Sequence, residues 1–513
     1  MASAHEHGGP AASGPSLAAL IEERGRRDAA APYLLDARSE RRVTYGDLLR
    51  SAAGRRDAGA SERVGLLVAD PLTFARHFLS LISAGYWVSP LDPTAPLLDA
   101  PRVRGVAAQR RLSRVFSDRE APPGYDGDWE TLTSALQDER PPRATERGGS
   151  TSGGVLLGSS GTTGAPKLIA LSQAQLLYAA GLVARHHGFD ATTRGFNPLP
   201  LWHVNAQVVG LLATLVAGGS LVLDDGFHRT DFWSLAAERS VTWINAVPAV
   251  IARLAERRLG EVVPASVRFI RSASAPLSPT VLRAFEASTG IPVVETYGMT
   301  EAASQICANA VGSPAKAGSV GPAVGVDLRV RSLEPGAGTV VADVVGHVEI
   351  RGPSVIRRYD SAGYEDRVDG EGWLRTGDLG YLDEDGYLFL VGRSDDVINR
   401  GGEKIFPRDI EELVLALDGV HGAVVVGEPD DVYGQVPALY VELTDGASSD
   451  ADASRARRVA VCLRDVLTSS LSRSRRPVAV TIVSALPVHG TGKVTRRLLG
   501  TDAVTILWRE SIA

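Results

Sequence analysis

"GVLLGSSGTTGAPKLIALS", residues 154–172, decides how the rest of the chain is read. Two apolar runs of strand length, Val155–Leu157 and Leu168–Leu171, flank a loop of glycines, serines and threonines that ends in Lys167. Ser172, with Gln175 three residues on, has the capping-box pattern. It opens a helix in which Leu176, Ala180 and Val183 share one face. The loop is not the GxxxxGK[ST] phosphate loop, because its lysine lies three residues past the last glycine and leads into Leu168. Unhindered amides, short hydroxyls and one point charge suit a phosphate cradle. The same residues also make ordinary surface turns. On this stretch alone both readings stay open.

The strand–helix alternation continues downstream. "GSLVLDD" precedes a helix near 231–239, "VTWINAVP" one near 249–258, and "VRFIRSASA" one near 279–289; "PVVETYG" follows. This pattern implies an α/β fold with a doubly wound, mostly parallel sheet. Such sheets bind ligands in the crevice at the carboxyl ends of their strands. "SSGTTG", "PLWHV", "SASAPL" and "YGMTE" each begin where a strand should end, so four distant loops are expected to line one cleft. Between about 318 and 392 short strands and turns suggest a small barrel-like piece or antiparallel sheet. Beyond "GRSDD" (392–396) a second α/β unit is expected, with helices near 407–417 and 453–471. The expected division is a disordered tail over 1–15, an N-terminal unit over 16–394, and a smaller mobile unit over 395–513.

At 513 residues the chain is too long for one core. A net charge of −6 without a basic tract argues against nucleic acid as a partner. No apolar run reaches the ~20 residues needed to span a bilayer, and the first fifteen residues lack the apolar stretch of a secretion signal. With only Cys307 and Cys462 there is no disulfide framework and no zinc spacing. A cytoplasmic protein is expected. The cations are distributed unevenly. Only four of the 54 basic residues are lysines, and three of these, Lys167, Lys404 and Lys493, lie in glycine-rich stretches. A compact ammonium retained among so many arginines suggests contact with an anionic ligand.

"SSGTTGAPK", "YGMTEAAS", "GWLRTGDLG", "GRSDDVINRGGEKI" and "GTGK", in this order over about residues 40–500, resemble the motifs of the adenylate-forming superfamily. That superfamily comprises acyl-CoA synthetases, peptide-synthetase adenylation domains and luciferases. The resemblance implies a large N-terminal domain and a small mobile C-terminal domain around one active site. It implies attack of a carboxylate on the α-phosphate of Mg-ATP, then displacement of AMP by a thiol. By the same resemblance Ser159, Ser160, Thr162, Thr163 and Lys167 hold the β- and γ-phosphates. Tyr297 and Gly298 flank adenine together with Ala273, Ser274 and Ala275. Thr300 contacts the α-phosphate, Glu301 ligates Mg2+, and Asp378 and Arg393 take the ribose. Read without the motif, Thr300 and Glu301 would merely start a helix. Lys493 is implied to bridge the substrate carboxylate and the α-phosphate. Asp395 matches the hinge, and Gly401, Gly402 and Lys404 match the loop that lines the pantetheine tunnel of coenzyme A. Leu168 stands where relatives carry Gly, and Gly158 where an aromatic or Thr-like residue is common.

"PLWHVNAQ" (200–207) matches the segment lining the acyl pocket, with His203 as pocket wall, gate or base. Asn205, Ala206, Ala249, Ser272, Gly298 and Met299 complete an expected small or neutral wall. No Asp lies between Pro198 and Gln207 to pair with an amino acid's ammonium, and Thr296 replaces the Arg of malonate-type ligases. The expected substrate is therefore an apolar monocarboxylic acid. The expected reaction is ATP-dependent ligation of that acid to coenzyme A. Three alternatives stay open: an enzyme that thioesterifies an adenylate supplied by a partner adenylating enzyme, an acyl-AMP ligase that loads a carrier protein, and a nucleotide-binding sensor without turnover.

Overall fold

The computed structural model describes residues 16–54, 62–94, 99–132, 152–159, 167–256, 260–312, 315–334, 336–417, 419–443, 450–487, 494–499, 501 and 504–511. The alternation read from the sequence resolves into two largely parallel sheets. The first has eight strands in the order Ser304–Ala308, Val293–Met299, Phe269–Ser272, Trp243–Ala246, Arg194–Asn197, Ser220–Leu223, Pro32–Asp36 and Arg42–Thr44. All neighbours are parallel except the two edge pairs. The second has six strands in the order Trp129–Thr131, Arg114–Ser117, Arg63–Leu67, Trp87–Pro90, Gly154–Ser159 and Lys167–Ser172.

Helices Pro71–Ser83 and Gln173–His186 lie in the core that joins the two sheets. Pro71–Ser83 is buried along almost its whole length, as a helix covered on all sides must be. Gln173–His186 starts with the expected capping box between Ser172 and Gln175. The other face of the eight-stranded sheet is covered by helices Phe232–Glu238, Pro248–Ala255 and Pro279–Thr289. Side chains along a strand alternate between faces. Thus Phe269 joins the inter-sheet core and Ile270 the outer one. By the same alternation Arg271 points inward, toward the layer between the sheets.

The stretch expected to be barrel-like is a four-stranded antiparallel sheet, Asp327–Arg331, Gly346–Arg351, Leu374–Leu382 and Leu388–Arg393. The C-terminal residues form a further sheet with its own core. Its strands run Glu403–Ile405, Ile398–Arg400, Gly434–Leu443, Ala479–Val483 and Ile506–Ser511, and Val420–Asp430 pairs with Gly434–Leu443. Helix Pro407–Leu415 packs into that core. Among the described residues no helix is long and apolar enough to cross a membrane.

Candidate functional site

Strand Val293–Met299 delivers Tyr297, Gly298 and Met299 to the crevice, and Ser304–Ala308 returns antiparallel beside it with a register shift between Tyr297 and Gly298. The approach is so close that a Cβ at position 298 would come within 1.6 Å of the Ser304 carbonyl oxygen, so only glycine fits. Thr300–Ala302 then make one 3-10 turn, and Ala303 and Ser304 reverse the chain with φ of 53° and 94°. No helix of ordinary length starts at Thr300 and Glu301. Glu301 is instead turned inward, 7% exposed, and its Oε1 accepts a hydrogen bond from the Tyr359 hydroxyl at 3.0 Å.

Asp378 and Arg393 face each other across strands Leu374–Leu382 and Leu388–Arg393, so sheet register sets their 3.0 Å ion pair. The Tyr297 hydroxyl donates to the other Asp378 oxygen. Burial first, and then the Asp378 charge, push the Tyr297 phenol well above its ordinary range. Lys167 begins strand Lys167–Ser172, and its ammonium lies 5.0 Å from the Tyr364 ring centre and 5.7 Å from that of Tyr359. Burial holds its pKa below the ordinary value, with repulsion from Arg367 and Arg393 partly offset by Glu301 and Asp395. The structure therefore gathers Lys167, Tyr297, Glu301, Asp378, Arg393 and Asp395, expected at the hinge, into one electrostatic neighbourhood.

The segment Ala273–Ala275 borders it. The Ala273 amide donates to the Ala246 carbonyl, and the Thr296 hydroxyl donates to the Ser272 carbonyl at 2.9 Å. Ser274 has φ of 76°, a conformation that favours glycine. Ser160, Thr162, Thr163 and Lys493 lie outside the described residues. Ser159 is the last residue of its strand, and its side chain is not among those described. The two departures beside that loop have distant neighbours. A Cβ at Gly158 would come 2.8 Å from a terminal nitrogen of Arg110, which bonds Ser89 Oγ and the Pro90 carbonyl. Leu168 is buried and 5% exposed, and its amide donates to Ser361 Oγ.

Asp395 sits in the turn Ser394–Asp396, and Arg496 reaches back to Asp396 and to Glu411. Gly401 and Gly402, with φ of 57° and 94°, form the two-residue turn of a hairpin. Lys404 is exposed on its second strand. Among the described contacts, the hairpin makes none to the nucleotide-side residues.

The expected acyl wall is only partly neutral. Asn205 and Ala206 are buried at the start of the π-helical stretch Ala206–Leu212, Ser272 is fully buried, and His203 and Met299 are half-buried. Ala249 is exposed. Beside Asn205 lies Arg271, a residue that sequence reasoning missed. Arg271 is 1% exposed and donates to Asn205 Oδ1 at 2.9 Å, with Asn245 Oδ1 at 3.5 Å. Burial lowers the guanidinium pKa to about 9. His186 and His187 lie close enough to Arg271 that its charge, after burial, holds both imidazoles below their ordinary value. The surroundings of Asn205 are thus not neutral, because a guanidinium adjoins it. An arginine inside the apolar run "VRFIRS" was the available signal.

Residues 21–360 match the family model for AMP-binding enzyme, and residues 409–493 that for AMP-binding enzyme C-terminal domain. The chain belongs to the AMP-binding enzyme family. Like other acyl-CoA synthetases of this family, it is an acid–thiol ligase that uses ATP and coenzyme A. It is 36% identical to the sulfoacetate–CoA ligase of Cupriavidus necator, covering 94% of this chain and 96% of that protein. It is 32% identical to the oxalate–CoA ligase of Arabidopsis thaliana, covering 88% of this chain and 91% of that protein. Among solved structures, ATP-bound MatB from Rhodopseudomonas palustris superposes with a TM-score of 0.82 at 25% identity, covering 94% of this chain and 98% of that one.

Proposed function

We propose that this AMP-binding enzyme activates a small polar acid as its adenylate and transfers the acyl group to coenzyme A. In the first step a carboxylate oxygen of the acid bonds to the α-phosphorus of ATP, and pyrophosphate leaves with the electrons of the broken P–O bond. In the second the thiol sulfur bonds to the acyl carbon, AMP leaves with the C–O electrons, and the thiol proton passes to solvent.

The observation that carries this reading is the convergence of Tyr297, Asp378, Arg393, Glu301 and Lys167 at the carboxyl edge of the parallel sheet. Asp378 is oriented by two donors and offers its remaining lone pairs to the ribose hydroxyls. Tyr297, with the Ala273–Ala275 segment and Gly298, flanks the base. Lys167, together with Ser159, Ser160, Thr162 and Thr163, holds the departing phosphates. Glu301 presents a hard carboxylate oxygen of the kind Mg2+ takes, and the ion, when bound, neutralises charge on the phosphates. Thr300 contacts the α-phosphate. Lys493, carried by the C-terminal domain, places an ammonium between two anions that repel as they meet. Rotation about Asp395 then brings Gly401, Gly402 and Lys404 to the thiol path. His203 lines the acyl wall. A polar acid, not the apolar one expected from the motif positions, agrees with the Arg271 wall and with sulfoacetate and oxalate as the acids named for two relatives.

The test is acid-dependent exchange of labelled pyrophosphate into ATP, with coenzyme A consumption followed in parallel. Both activities with one acid are the expected outcome. Exchange without consumption would move the acceptor to a carrier protein. Thioester formation from a synthetic adenylate without exchange would make this the second half of a two-enzyme reaction. AMP binding with neither activity would leave a sensor.

A further inference from the structure

We propose that Arg271 is the receptor for a second anionic group on the acid, so that the substrate is a dianion with a carboxylate at the reacting end and a sulfonate or carboxylate at the other. The proposal rests on the ligase reading above and adds the chemical class of its acid. Arg271 lies on the inward face of strand Phe269–Ser272, two residues before Ala273 of the Ala273–Ala275 segment. Among the described residues no Asp or Glu pairs with it; its described partners are the amide oxygens of Asn205 and Asn245.

An isolated charge removed from water costs several kcal/mol unless an opposite charge meets it. Elsewhere this chain provides one. Arg38, Arg63 and Arg229 each hold a bidentate or near-bidentate carboxylate. At Arg271 the neighbours are amides and imidazoles, and the histidines are repelled by the guanidinium and do not compensate it. Two donors there also lack partners, Arg271 Nε and Asn205 Nδ2. The Nε–H of Arg271 and the amide N–H2 of Asn205, unsatisfied among the described residues, are the donors an anion would take. Asn245 is itself tied to Asn197, at 2.9 Å, which anchors the amide side of the cluster. The arrangement is complete for a ligand that brings its own negative charge and incomplete without one.

The distinguishing pair of acids is sulfoacetate and 3,3-dimethylbutyrate, which share shape and differ in the charge of the distal group. The wild-type protein should use sulfoacetate with kcat/KM at least ~100-fold above 3,3-dimethylbutyrate, with malonate and oxalate marking the preferred length. Arg271→Met should lower that ratio at least ~100-fold, and Arg271→Lys should restore part of it. Asn205→Asp supplies an internal carboxylate to the guanidinium; it should raise the melting temperature and also collapse the ratio, and it carries the test if Arg271→Met fails to fold. A wild-type preference for the neutral acid, equal loss of both acids in Arg271→Met, or an unchanged ratio in Asn205→Asp would overturn the assignment while leaving the ligase intact. Absence of exchange and of thioester formation with every acid of both classes would instead remove the ligase reading, and this one with it.

Discussion

The two ends of the crevice treat charge in opposite ways. At the nucleotide end two of the described cations have company: Arg393 holds Asp378, and Lys167 lies over two tyrosine rings within reach of Glu301. At the acyl end Arg271 is more deeply buried and has only amides. A site whose charges are balanced in advance holds its ligand by shape and hydrogen-bond geometry, and its groups stay in place whether or not the ligand is bound. A site left unbalanced selects its ligand by charge. In the mechanism proposed above, the cation that meets the two reacting anions comes from Lys493.

The sharpest way to break this picture is Lys493→Ala. Pyrophosphate exchange should fall by ~1,000-fold, while thioester formation from a preformed adenylate should change by less than ~10-fold. Equal loss of both would mean that the nucleotide end does not rely on an imported cation. Next in size is Asp378→Asn, which leaves the strand register but removes the charge that Arg393 and Tyr297 converge on. KM for ATP should rise ~10–100-fold with a smaller change in kcat. A kcat effect alone would show that the balanced end participates in the chemistry and is more than a holder.

Much of this was legible beforehand, for physical reasons. Helix starts such as Ser172–Gln175 are local and announce themselves. The parallel strands were visible because burial on both faces makes them short apolar runs between turn signals. The nucleotide residues were legible because their spacing is set by tight backbone geometry, as at Gly298, where the neighbouring strand excludes any side chain. The acyl end was not. Its character depends on which face of Phe269–Ser272 looks inward and on which distant segment, here Asn205, lies opposite. Neither is encoded within a few residues of Arg271, and the motif positions that suggested a neutral wall did not include it. The crowding at Gly158 was equally nonlocal, since it comes from Arg110.

A smaller effect probes the balance from the protein's own acids. Glu295, two residues before Tyr297 on strand Val293–Met299, has its pKa raised to about 7, chiefly by burial, with Arg408 and Glu412 of helix Pro407–Leu415 acting in opposite directions. Between its ordinary carboxylate range and pH 7 the folded chain keeps a proton there that the unfolded chain has lost. Stability from this group is therefore full at low pH and declines as pH rises through 7. Glu295→Gln should remove that decline, adding about 2–3 kcal/mol at pH 8 and little at pH 4.5. Melting curves across this range check it, and an equal gain at both ends would show that burial of Glu295 is not the source.

The smallest effect concerns the border between the two ends. Ser274 sits one residue past Ala273 in the segment that separates Arg271 from the adenine side, and its φ of 76° forces an L-residue into the left-handed region. Such a conformation costs about 1 kcal/mol or somewhat more for a residue with a Cβ. Ser274→Gly relieves it in the folded state but also loosens the unfolded chain, so the net gain in stability should stay near 1 kcal/mol or below. If the strain merely accommodates the bend between the ends, the variant should melt slightly higher with KM for ATP and the ratio of anionic to neutral acids both unchanged. If instead the strain holds the bend at the angle that keeps the balanced and unbalanced ends in register, the two readouts should separate. The melting temperature would rise while kcat for exchange falls several-fold, because a freely rotating glycine would let the acid's carboxylate drift from the α-phosphate while each end still bound its own ligand.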